Sequence, residues 1–192
     1  SKNKMIIDYA FSKNKNDFLD VYLGATCEFC LTTDVGYDHI PYIFRRPLAN
    51  ITDPISLMKL SSKKYLNIFS NYYSVKNKKV LNLNEIFSEK VAFFRDGNYL
   101  NKKGIELKKP NSEDIKLLVL DMVEFIQNNF EISERESKMN EKFFQIYQKN
   151  VNSNELLNSV RSSVNSNVAK LHNELRGKIS PFFLIKNNFL VK

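Results

Sequence analysis

Between Met5 and Thr52 short apolar runs alternate with helix-patterned stretches, and this alternation restricts the fold more than any other feature of the chain. MIIDYA reads as a strand. NDFLDVYLGA reads as a helix with Phe18, Leu19, Tyr22 and Leu23 on one face, Asn16 or Asp17 as its cap and Gly24 near its end. CEFCL follows as a strand, YDHIPYIF as a short helix and PLANI as a third strand. Parallel neighbours need a crossover between them, so this order with short links predicts a parallel sheet covered by helices, an α/β fold.

Beyond Asp53 the pattern is less regular. YLNIF and KKVLNL read as short strands, NEIFSEK as a short helix begun at Asn82 or Asn84, and Asp96-Gly97-Asn98 and Lys103-Gly104 as turns. PNSEDI combines cap candidates with two acidic residues, a good start for a helix running to about Asn129. A second helix is expected from Ser137 to Lys149. Leu157, Val160, Val164, Val168, Leu171 and Leu175 are spaced 3, 4, 4, 3 and 4, a helical stripe expected to pack on its own domain. Gly177 stops it, and KISPFFLIKNNFLVK is an apolar tail that needs a cover.

At 192 residues the chain can bury one sizeable core. Its net charge of +8 comes from one segment: Lys59 to Lys109 holds 12 basic and 4 acidic residues, and the remainder is balanced at 17 against 17. Such a segment attracts polyanions, anionic head groups or phosphorylated small molecules; a solvated, lysine-rich face is the plain alternative. Nucleic acid is disfavoured, because no aromatic-interleaved or helix-turn-helix signal accompanies the charge. No apolar run approaches the roughly 18 to 20 residues of a membrane span, and no secretory signal pattern is present, so the chain reads as cytoplasmic. Cys27 and Cys30 form a lone C-x-x-C inside an apolar run, without a second Cys or His pair, and are expected to be buried thiols rather than a redox or zinc site. His172, in the stripe region, is expected to be structural.

The segment TTDVGYDH stands where a strand gives way to a helix. In open parallel sheets ligands bind beyond the carboxyl ends of the strands, and a helix start offers N–H groups and a positive dipole end that suit phosphate. Gly36 permits close approach of a ligand, and Thr32 and Thr33 add hydroxyls. The alternative is an ordinary capped turn, Asp34 being the cap and Gly36 helping the bend; spacing alone favours it. Arg45-Arg46 before Pro47 could pair across the surface or clamp a diphosphate. No Ser-His-Asp set, HExxH, P-loop or carboxylate cluster points to hydrolytic or metal chemistry.

The block IDYAFSKNKNDFLDVYLGATCEFCLTTDVGYDHIPYIFRRPLANIT is similar to the donor-binding half of GT-B glycosyltransferases. It most resembles a bacterial family of glycosyltransferases of surface polysaccharide biosynthesis. KVLNLNEIF, GIELKKPNSEDIKLLVLDMVEF and GKISPFFLIKNNFL resemble later blocks of that family, and Asn129 to Asn165 is the weakest part. The resemblance implies a Rossmann-like parallel sheet flanked by helices, of the GT-B C-terminal type, over residues 1–130, with a helical C-terminal tail, 131–192, packed on it. It implies a nucleotide-diphosphate sugar as substrate, no metal and no other cofactor. The diphosphate would meet Thr32, Thr33, Asp34, Gly36 and Tyr37; Asp38 and His39 would lie near the sugar or ribose; Arg45 and Arg46 would be candidates for a phosphate clamp if their loop folds back. The acceptor would be a glycan or a lipid-linked glycan, met at the inner face of a membrane. The domain that binds it would lie upstream, so this stretch would not catalyse alone.

Two features depart from the family. Val35 stands where a small residue is usual, removing a hydroxyl from the turn, and no acceptor domain is present in these residues. Nucleotide-sugar 2-epimerases share the fold, but their Asp-Ser-Gly-Gly turn keeps here only Asp34 and Gly36, and Ile40-Pro41 replaces their paired acids. A non-catalytic basic module at an anionic membrane is the third reading.

Overall fold

The computed structural model describes residues 3–33, 36–94, 96–151 and 176–192. It is an α/β structure built on a four-stranded, all-parallel sheet of order β1-β2-β3-β7: β1 (Cys30–Thr32), β2 (Leu48–Thr52), β3 (Tyr65–Phe69) and β7 (Lys178–Ile179). In β3 every residue is buried, and in β2 all but Ile51, as expected of parallel strands covered on both faces. Helix α1 (Asp17–Thr26) precedes β1, and α2 (His39–Ile43) makes the crossover to β2. No helix of the described residues is long and apolar enough to cross a membrane.

The chain leaves β3 directly into a second, antiparallel sheet of β4 (Asn71–Ser74), β5 (Lys79–Val80) and β6 (Ile105–Lys108), in the order β5-β4-β6. Between β5 and β6 lie α3 (Leu83–Ser88) and α4 (Gly97–Lys102). Long helices α5 (Ser112–Gln127) and α6 (Glu134–Val151) follow; after β7, α7 (Pro181–Lys186) packs on both of them. One apolar core joins the sheets and helices, centred on Leu66, Ile68, Phe69, Tyr72, Phe87, Phe143 and Tyr147.

Several expectations change. MIIDYA forms turns and a short 3-10 helix at Tyr9–Phe11 instead of a strand. A strand exists only when paired, whereas here the segment is exposed and its backbone bonds are local (Ile6 N–H to Asn3 O, 3.0 Å; Ser12 N–H to Tyr9 O, 3.0 Å). Asp96-Gly97-Asn98 opens α4 rather than a turn, because the Asp96 carboxylate accepts the Asn98 N–H at 2.9 Å as an N-cap. Cys27 is the C-cap of α1 rather than part of a strand, and both cysteines are half-buried free thiols. Burial, then the nearby Cys27, pushes the Cys30 thiol up to about 11, away from thiolate reactivity. The tail finds its cover by supplying β7 and α7: Phe183 and Leu184 are buried, and the Phe183 ring meets Phe69 edge-on at 5.0 Å. The stripe from Leu157 to Leu175 lies outside the described residues.

Candidate functional site

Because the strands of the first sheet are parallel, the turn after β1 stands at its carboxyl edge, where ligands of such sheets bind. Asp34 and Val35 lie outside the described residues. Gly36 has φ +97°, a conformation that side-chain-bearing residues rarely adopt, and a Cβ built on it meets nothing within 4 Å. Among the described residues the space in front of Gly36 is therefore open. Thr33 is exposed beside it, whereas Thr32 is buried in the strand.

Behind the glycine the turn is closed by an internal ion pair. Asp38, its side chain wholly buried, accepts the Gly36 N–H at 3.0 Å through Oδ1, and Lys59 Nζ lies 3.2 Å from its Oδ2. A buried carboxylate needs this double support, since desolvation of an unpaired charge would cost several kcal/mol, an order-of-magnitude figure. Lys59 also sits 5.9 Å from the centre of the Tyr42 ring. Its backbone is fixed by Asn67 of β3, which accepts the Lys59 N–H at 2.8 Å and donates to the Lys59 carbonyl at 2.9 Å. Asn67 donates also to Lys178 O in β7 at 3.1 Å and accepts from Asn50 in β2 at 3.1 Å. One side chain thus ties three strands to the loop that carries Lys59.

Tyr37 donates its hydroxyl to Asp20 O in α1 at 2.9 Å, which fastens the turn to that helix. Burial, followed by the Asp20 charge, holds its phenol above the ordinary value. The exposed His39 ring places Nδ1 2.9 Å from Gly36 O. A carbonyl can only accept, so Nδ1 carries the hydrogen and Nε2 of the neutral ring is the accepting nitrogen. The His39 and Ile40 N–H groups bond to Gly36 O and Tyr37 O at 3.1 Å each, so the first turn of α2 has spent part of its donors internally.

The structure brings Gly36, Tyr37 and His39 into one turn, with Asp38 and His39 bonded to Gly36, while Thr33 is exposed at the end of β1. Arg45 and Arg46 stay apart, because α2 carries the chain back from the carboxyl edge before it reaches them. Arg46 Nε donates to Cys27 O at 2.5 Å, and Arg45, with φ 56°, is exposed in the bend after α2. Lys59 is the cation at the turn. Sequence reasoning passed over it because LMKLSSKK resembles any solvated, lysine-rich loop; its pairing with Asp38 exists only through packing.

A separate cavity of about 360 Å³ lies between β3, α5, the α5–α6 link and Pro181. Asp121, Glu124, Glu131 and Glu136 line it, and four carboxylates oppose a diphosphate. Among the described residues no group of three or more His, Cys, Asp or Glu side chains is arranged to hold a metal ion. The strand order β1-β2-β3-β7 contains no reversal among the described strands, so the turn borders the sheet's open edge rather than a crevice between two described strands. No family model matches the chain, and no curated protein or solved structure matches it either.

Proposed function

We propose that the chain is the donor-binding half of a metal-independent glycosyltransferase of the GT-B type, transferring sugar from a nucleotide-diphosphate donor to a surface polysaccharide or lipid-linked acceptor. The observation that carries the reading is the glycine turn at the carboxyl end of β1, strained for any other residue and, among the described residues, open in front of Gly36. The likeness of the surrounding sequence blocks to that family adds to it. In this reading the diphosphate lies across the turn, facing the Thr33 hydroxyl and the main chain of Tyr37, while Gly36, its N–H held by Asp38, leaves room for it and His39 reaches the sugar or ribose. Asp38 does not touch the donor. Its charge is balanced by Lys59, so an incoming diphosphate meets no unpaired negative charge beneath the turn. The departing nucleotide diphosphate is stabilised by preoriented dipoles rather than by a metal.

Calorimetric titration with UDP, GDP, CMP and ADP sugars tests this reading. One of them binds the chain, and Gly36→Leu, which fills the open space and strains the backbone, weakens binding at least tenfold, about 1.4 kcal/mol, while the circular dichroism and melting transition persist. Absence of binding by every donor, including to a longer chain with upstream sequence, overturns it.

A further inference from the structure

We infer that the acidic cavity bounded by α5, α6 and Pro181 binds a small aliphatic polyamine. At about 360 Å³ it is at the small end of ligand pockets, and its walls come from β3, α5, residues 128–133, α6 and the start of α7. Carboxylates line it from three of those segments: Asp121 and Glu124 on α5, Glu131 on the link and Glu136 on α6. Leu66, Phe125 and Ile132 supply apolar wall.

Asp121 is the group that points to a ligand. It is only 5% exposed, and both hydrogen bonds it accepts, from the Ser180 hydroxyl and from the Phe182 N–H at 3.2 Å, end on Oδ2. Oδ1 has no hydrogen-bond partner among the described residues and is not one of the sealed polar atoms of the interior, so it opens to the cavity that Asp121 lines. A nearly buried carboxylate oxygen without a donor is costly, and a donor that also carries positive charge relieves it best. Burial holds the Asp121 carboxyl up at about 6, Glu136 and Glu124 push the same way, and no cation acts against them.

The protein's own cations are engaged elsewhere. Lys178, half-buried and near Glu131, directs Nζ to the Phe130 carbonyl at 3.4 Å and stands 5.0 Å from the centre of the Phe125 ring; Lys64 lies 5.4 Å from the Phe130 ring. Glu136 gives one oxygen to the Ser133 N–H and hydroxyl, at 2.9 and 2.7 Å, and keeps the other. An excess of negative charge spread over three segments, with apolar side chains in the same wall, suits ammonium groups separated by methylenes. A metal ion does not fit, since the described side chains form no group able to hold one. With a net charge of +8 the chain has no general attraction for cations, so such binding is local.

Leu66 and Asn67 are successive residues of β3 and point to opposite faces, so the cavity and the Asn67 junction that fixes Lys59 lie on opposite sides of the sheet. The inference is thus independent of the donor reading. Calorimetric titration of residues 1–192 with spermidine, at neutral pH and physiological salt, tests it. One spermidine binds per chain. Glu124→Gln and Asp121→Asn, the latter keeping the two accepted hydrogen bonds, each weaken binding roughly tenfold or more. Glu134→Gln, exposed at the start of α6 and outside the cavity, leaves it unchanged, and an uncharged diol of the same chain length does not bind. The Asp121 carboxyl, followed by carbon NMR, titrates at lower pH with spermidine bound, as an adjacent cation requires. No binding, or an Asp121 titration that spermidine leaves unchanged, overturns the inference. So does displacement by equimolar magnesium, or equal weakening by Glu134→Gln and Glu124→Gln, in favour of a diffuse counterion effect. Should Asp121→Asn fail to fold, Glu124→Gln, at an exposed position, decides.

Discussion

Asp121 is 5% exposed, accepts the Ser180 hydroxyl and the Phe182 N–H through Oδ2, and so anchors the start of α7 to α5. Burial pushes its carboxyl up to about 6 from the ordinary 3.8, with Glu136 and Glu124 adding in the same sense. A raised acid pKa means that the folded state holds the proton more tightly than the unfolded one between about pH 4 and 6. Stability from this group is therefore greatest at acid pH and declines as pH rises through that window. Asp121→Asn keeps both acceptor bonds and removes the decline. Urea midpoints should move in the variant's favour, relative to the parent, by an amount worth on the order of 2 kcal/mol between pH 4 and pH 7. At this scale Gly36 was legible, since a lone glycine between a strand and a helix signals a backbone of unusual φ. The Asp38–Lys59 pair and the Asn67 junction were not, because each joins residues many positions apart whose side chains look solvated until the chain is packed.

Helix starts were the most legible elements, because a cap is a local bond. Asn16, Asn82 and Asn111 each accept an N–H from their own first turn, and the last two complete capping boxes with Glu85 and Asp114. Asn111→Ala leaves the start of α5 without its acceptor and should cost about 1 kcal/mol, a small but measurable shift in the urea midpoint. Strands were less legible. YLNIF became β3, whereas MIIDYA, with a comparable apolar content, became exposed turns. The difference is a hydrogen-bonding neighbour: β3 lies between β2 and β7, while MIIDYA has none among the described residues. The short β4 and β6 were missed because four residues give too little alternation to distinguish a strand from a loop.

For the whole molecule, the carboxyl-terminal residues close the core rather than decorate it. β7 extends the sheet beside β3, and Phe183, Leu184, Leu190 and Val191 are buried against the rest. Each fully buried side chain of this kind contributes roughly 1.5–3 kcal/mol, so losing several approaches the roughly 5–15 kcal/mol of a whole domain. Ending the chain before Arg176 should abolish the cooperative melting transition seen by circular dichroism; a truncated chain with an unchanged transition would refute this placement of the core. The amino-acid sequence by itself determined the α/β class, the helix caps and the glycine turn, because periodicity, capping and backbone freedom are properties of neighbouring residues. Only the tertiary structure decided the strand order, the entry of the tail into the sheet, the burial of Asp38 against Lys59 and the separation of Arg45 and Arg46 from the turn. Each of these depends on contacts between segments far apart in the chain, whose free energy appears only when the core excludes water.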